Sequence, residues 1–265
     1  RYEFDIVLRS VEKNYENMDR HFDMLIGKHV DAIFIVGIYG GNKENIKAIE
    51  NTAKQIPVIV INGALETEID NTYCIVCNEK NMAASIVQQL CLSGYSRIAY
   101  IYDTTTYSGV KKLEGYRKGL KQCNLSYEDL TLQISEDISM TDISSTAREI
   151  EDFFHSCEIM PDAVMTADDV LAVAVLKALE QIGTEMPLIG WNNSLFSQCC
   201  TPTLTTVDIN MEKMSETAVL ILLKVLEGKQ PPKYIEVHAR WIERQTYCSG
   251  FETNGSDAEG DANSD

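Results

Sequence analysis

The chain has no uninterrupted apolar run of the roughly 18 residues that a membrane-spanning helix requires, and no charged-then-apolar signal segment at its start. Basic residues are scarce: 23 Lys and Arg stand against 40 Asp and Glu, a formal net charge of −17. Such a surface repels a phosphate backbone, which disfavours direct nucleic-acid binding by this stretch. The four histidines, His21, His29, His155 and His238, are scattered along the chain. There is no G-x-S-x-G, no H-E-x-x-H and no glycine-rich phosphate loop. With no visible nucleophile and base pair, the expectation is a protein that is not an enzyme and that carries no cofactor or metal. A hydrophobic fraction of 45% over 265 residues is enough for a sizeable core, and the expected location is the cytoplasm.

Eight cysteines fall at irregular spacings, at 74, 77, 91, 123, 157, 199, 200 and 248, mostly inside apolar runs. That placement suits reduced thiols packed as small hydrophobes. Cys74 and Cys77 spell C-x-x-C, but no second Cys or His pair follows at metal-ligand spacing. In a strand, residues three apart face opposite ways, which argues against chelation.

Short β-branched runs alternate with amphipathic stretches up to about residue 245, the pattern of repeated βα units around parallel sheets. The strand candidates are 4–8, 32–36, 58–61, 73–76, 97–102, 163–166 and 188–191. Several are unbroken apolar runs, which implies burial on both faces. Tyr15, Met18, Phe22 and Leu25 fall at helical spacing, as do Ile46, Ile49 and Ala53. Further helices are expected over 78–93, 109–123, 142–157, 169–182 and 211–227. Asn42, Asn78, Ser108, Thr141, Asp168 and Asn210 stand as their caps, and Gly94, Gly183 and Gly228 as their left-handed closures. Residues 249–265 are almost devoid of apolar side chains and read as a disordered acidic tail.

In open parallel sheets ligands bind just beyond the carboxyl ends of strands, and polar residues stand there in this chain. The segments DDVLAVAVLKALEQIG (168–183), PLIGWNNS (187–194) and TPTLTTVD (201–208) resemble the LacI/GalR family's ND-x-x-A-x-G-x-L-x-AL, GFDD and P-x-LTTV. HVDAIFIVG (29–37), IPVIVING (56–63), LSGYSRIAYI (92–101) and GYRKGL (115–120) match the remaining landmarks in order. The resemblance runs from residue 1 to about 246.

It implies an α/β fold of type I periplasmic-binding-protein kind, two Rossmann-like lobes with parallel sheets crossed three times by the chain. The N-lobe is expected at 1–76 and 208–230, the C-lobe at 79–205 and 233–246, with a small effector in the cleft between them. Lys112 takes the place of an effector-clamping Arg; as a single point donor it loses the bidentate contact of the planar fork, or else it is an ordinary solvated lysine. Asp168 stands where the family has Asn, and Asn192 where it has Asp. Either can bond sugar hydroxyls, while Asp168 can also simply cap its helix and Asn192, with Asn193, simply fill a turn. Asp169 takes the family's structural acidic position. Asn62 replaces a common Asp, with a turn before Gly63 as its other reading. Ile138 falls where some members stack an aromatic on the sugar.

These acceptors point to a neutral or cationic sugar or polyol as effector. Leu195, Phe196 and Cys199, in the stretch SLFSQCC, are the expected contacts of a homodimer; a short helix packed on its own lobe is the alternative. These 265 residues contain no helix-turn-helix headpiece, so operator DNA is expected to be met only through a headpiece outside this stretch. By the same resemblance Arg1 to Ser10 matches the family's second strand, leaving the first strand and helix of the N-lobe unaccounted for. A solute-binding protein of an ABC sugar transporter is the rival with the same fold, opposed by the eight cysteines and the missing signal segment.

Overall fold

The computed structural model describes residues 4–11, 17–37, 43–65, 68–102, 106–125, 130–134 and 142–248. The expectations for the caps Asn42 and Thr141, for Ile138 and for the tail at 249–265 lie outside these residues. Two sheets organise the chain. The first has four parallel strands in the order β1 (Ile33–Val36), β2 (Val58–Ile61), β3 (Thr72–Cys77) and β9 (Tyr234–Val237). The second has six, in the order β10 (Arg240–Ile242), β8 (Thr205–Asp208), β7 (Leu188–Trp191), β6 (Ala163–Thr166), β4 (Ile98–Tyr102) and β5 (Thr131–Gln133), with only β10 antiparallel to its neighbour.

Helices cover both sheets because their apolar stripes have no other surface to bury against. Met18 and Phe22 of α1 (Met18–Ile26) and Ala48, Ile49 and Ala53 of α2 (Lys43–Ala53) pack on one face of the first sheet, against Ile33, Ile35, Val58, Val60 and Cys74. Met214, Ala218, Ile221 and Leu222 of α8 (Met211–Leu226) pack on β2 and β3 and join the larger core, with Ile59, Ile61, Ile75 and Cys77. Cys74 and Cys77 thus sit in different clusters on opposite faces of β3, as strand geometry requires. That larger core continues through α3 (Glu79–Leu92), α4 (Tyr107–Gln122), α5 (Ile143–Ser156) and α6 (Asp169–Ile182) around the second sheet.

The chain passes between the sheets at 77–79, 208–211 and 237–240. One expected boundary moves: β9 pairs in register with β3, Cys74 opposite Tyr234 and Cys77 opposite Val237. Residues 234–237 therefore belong with the first sheet, and only from β10 does the last segment join the second. The expected strand at 4–8 is not formed. Residues 4–11 carry no ladder pairing, and Ile6 and Leu8 are 85% and 89% exposed. Strand propensity alone does not hold an extended segment without a neighbour to satisfy its backbone.

Three expected caps are also corrected. Thr106, rather than Ser108, caps α4 by accepting from Gly109 N at 3.1 Å. Asn78 and Asn210 precede α3 and α8 without a side-chain cap bond. Asp168 does cap α6, and Gly183 closes that helix at φ 68°, the left-handed conformation expected of it; Gly94 and Gly228 are likewise positive.

Candidate functional site

The carboxyl ends of β2, β3, β6 and β7 and the amino end of α4 carry the polar residues that the surrounding apolar core leaves available. At the end of β2, Asn62 adopts a left-handed φ of 54°, which Asn tolerates better than most residues. Its backbone N–H donates to Ile75 O at 2.8 Å, and its half-buried side chain keeps Oδ1 shut away from solvent without a partner. The turn reading and a polar group held ready both fit this residue.

Lys112 is not a solvated lysine. It is only 6% exposed, its Nζ donates to Ala167 O at 2.7 Å just past β6, and it stands 5.5 Å from the ring centroid of Trp191 at the end of β7. The indole face favours a cation there, and no carboxylate among the described residues pairs with it. One turn earlier on α4, Ser108 Oγ donates to Glu79 Oε1 at 2.6 Å. Helix α4 therefore links the end of β3 to the ends of β6 and β7.

Glu79 went unremarked in the sequence. It is fully buried at the first position of α3, where a helix amino end favours negative charge, and its Oε2 has no partner among the described residues. Trp191 is also fully buried, with Nε1 unpartnered among the described residues. A buried polar atom without a partner is a rarity in native folds, and each one calls for a ligand, a water or a functional reason. The signal in the sequence is an acidic residue two positions beyond an apolar strand, and it is faint because Glu at a helix start is ordinary.

Asp168 caps α6, its Oδ1 accepting from Leu171 N at 2.8 Å, while Oδ2 accepts from no described residue. Capping thus uses one oxygen and leaves the other. Asn192 (φ 95°) and Asn193 (φ 48°) make the turn after β7; Asn193 accepts from Arg244 Nη2 at 2.7 Å, whereas the exposed Asn192 side chain has no partner among the described residues. Asp169 is structural. Its carboxylate accepts from Ser194 N, Ser194 Oγ and Thr206 Oγ1 at 2.6 to 2.8 Å, tying α6 to β8 and to α7 (Leu195–Cys199). Burial pushes its carboxyl up, against the hydrogen bonds that favour the charged form.

Burial, and then the negative charge of Glu79, push the Cys77 thiol up to about 12, with Lys112 opposing. The site holds a neutral thiol there, not a nucleophile. Where the chain crosses between the sheets, Asn78 ties the strands together: its Oδ1 accepts from Ala239 N at 2.7 Å and its Nδ2 lies 3.1 Å from His238 Nδ1. On α7, Leu195 and Phe196 are 73% and 49% exposed and Cys199 is exposed, while Ser197 faces inward. The helix rests on its own lobe through Ser197, leaving Leu195 mostly and Phe196 half exposed. Among the described residues no group of three potential metal ligands occurs, and no helix is long and apolar enough to cross a membrane.

Residues 87–247 match the periplasmic binding protein-like domain. An HTH-type transcriptional regulator of Lachnoclostridium phytofermentans is 30% identical over 233 residues, which cover 86% of this chain and 68% of that protein. The chain belongs to the LacI family. Within it, these residues form the effector-binding part of a transcriptional regulator and not the DNA-reading headpiece. Solved structures share the fold: a LacI-type regulator of Bacillus cereus subsp. cytotoxis NVH 391-98 gives a TM-score of 0.77 at 22% identity, over 90% of this chain and 84% of that one. A transcriptional regulator CelR in complex with cellobiose gives 0.74 at 20%, over 88% and 71%. These relatives are transcriptional regulators, not enzymes.

Proposed function

We propose that this LacI-family domain senses a neutral or cationic sugar- or polyol-like effector bound at the carboxyl ends of β2, β3, β6 and β7. The observation that carries the reading is the set of buried polar atoms left without partners there: Asn62 Oδ1, Glu79 Oε2 and Trp191 Nε1. Two are acceptors and one a donor, which suits the hydroxyls of a polyol. Lys112, Asp168 and Asn192 add a cationic donor, a carboxylate oxygen and an amide at the same strand ends, so the acceptors outnumber the cationic donors. The CelR structure contains cellobiose, and its likeness in fold makes a sugar the first class to test.

Effector binding would bias the arrangement of the two lobes by as much as it binds one arrangement better than the other. The readout would be operator affinity of a fused headpiece. Leu195, Phe196 and Cys199 of α7 would meet the same surface of a second copy in a homodimer, which light scattering at micromolar concentration tests by giving twice the chain mass. Location in the cytoplasm follows from this role as a transcriptional regulator.

Calorimetry across a panel of mono- and disaccharides and polyols tests the reading of the site. Asp168→Ala and Glu79→Gln are expected to weaken the best binder by roughly 1–3 kcal/mol each, the usual cost of losing a hydrogen bond to a charged group. Selective binding of a nucleobase or a dicarboxylate, with the sugars silent, would overturn it.

A further inference from the structure

Helices α3 and α4 run parallel and closer together than side chains normally permit. A Cβ placed on Gly115 would stand 2.7 Å from Ala83 Cβ, and one on Gly119 would stand 2.6 Å from Val87 Cβ and 2.9 Å from Ala84 O. Only glycine fits at these two rungs, where backbone meets side chain. The rungs pair residues 83 with 115 and 87 with 119, four residues apart on each helix, about one turn. Gln88 Nε2 donates to Gln122 Oε1 at 3.0 Å and holds the same register toward the carboxyl ends.

The next rung pairs Cys91 with Cys123. Cys91 lies in the last turn of α3 and Cys123 is the residue that closes α4, both half-buried and both free. The Cys123 thiol stands near enough to Cys91 to help push its thiol up. A disulfide needs Cβ atoms about 3.5–4.5 Å apart, and the four-residue register of the glycine rungs sets these two side chains opposite each other on adjoining helices.

We propose that Cys91 and Cys123 form a thiol–disulfide site that a low-molecular-weight disulfide converts to an intrachain cross-link between α3 and α4. In the first step the Cys123 thiolate attacks one sulfur of the small disulfide and expels one small thiolate, leaving a mixed disulfide. In the second, Cys91 loses its proton to solvent, attacks Cys123 Sγ and expels the second small thiolate. Two protein thiols are oxidised and one small disulfide is reduced to two small thiols. The amino ends of the two linked helices carry Glu79, Ser108 and Lys112, so the cross-link fixes the register of the elements that shape the proposed effector site. That last consequence rests on the proposed function; the cross-link itself does not.

Burial and the neighbouring thiol push Cys91 up to about 12. The resolving step therefore draws on a small thiolate fraction and should speed up as pH rises.

The test is equilibration of the intact chain with a reduced and oxidised glutathione mixture, followed by alkylation and non-reducing peptide mapping. The expected product is one linked peptide pair containing Cys91 and Cys123, lost on reduction, whose appearance from the mixed disulfide accelerates with pH. Cys91→Ser should instead leave Cys123 carrying one glutathione, and Cys123→Ser should abolish the cross-link. A map in which Cys91 and Cys123 stay unlinked overturns the proposal, whether or not the exposed Cys199 and Cys248 carry glutathione. So does a map in which a different pair, such as Cys200 with Cys248, is the main cross-link.

Discussion

The two sheets differ in how completely they are closed. The central strands of the six-stranded sheet, β4, β6 and β7, are flanked by neighbours on both sides, and β6 and β7 are buried at every position. The four-stranded sheet ends at β1, where Ile33 and Ile35 face α1 and α2 while Phe34 and Val36, 40% and 65% exposed, face outward beyond the cover of α8. Nearby in sequence, Phe4, Ile6 and Leu8 expose apolar side chains in a segment that joins no strand ladder. The difference teaches that β propensity is satisfied only in company: the same kind of apolar run is a buried strand at 188–191 and joins no sheet at 4–8.

Hydrogen exchange offers the largest test of this contrast. Amides of β4, β6 and β7 should exchange only on global unfolding, while those of residues 4–11 and the outer edge of β1 should exchange orders of magnitude faster, by local opening. Equal high protection over both regions would erase the distinction.

A smaller effect should come from cutting a tie inside the better-closed lobe. Asp169→Ala removes the acceptor of Ser194 and Thr206 and leaves the hydroxyl of Thr206, a fully buried residue, unpaired. Each such group costs about 1–3 kcal/mol, so a loss of roughly 2–4 kcal/mol should appear in denaturant unfolding followed at β7 and β8. The first sheet should keep its own exchange pattern short of global unfolding.

The smallest effect concerns the rim of α3 and α4. Glu114 is held below the ordinary glutamate range by its hydrogen bond from Lys80 and then by Lys111. A carboxylate whose folded value is lowered contributes stability that is present above its unfolded value and lost as pH falls through the folded one. The pair is too exposed for a large contribution. Unfolding midpoints should therefore fall slightly more steeply between about pH 5 and pH 3 in the parent than in Glu114→Gln, a carboxylate range set by ordinary values near 4.3.

The sequence by itself determined the elements that are long or uniformly apolar. The strands at 58–61, 163–166 and 188–191 and the helix at 169–182 match to the residue, because a run buried on both faces, or a stripe of period 3.6, leaves the chain one way to hide it. The resemblance carried by residues 168–208 brought the fold and family with it, and the capping oxygen of Asp168 was legible from its place before an apolar helix.

Tertiary structure alone decided the rest. β5, β8, β9 and β10 are three or four residues long and mix polar with apolar side chains, so each exists only because a neighbour presents an open edge. β9 falls in the first sheet because β3 offers it a parallel register. Likewise Lys112 and Glu79 are surface residues by type. They became buried, one over an indole and the other under a serine, because α4 packs its amino end between the ends of β3, β6 and β7, and no local pattern records a contact made across 29 or 55 residues of chain.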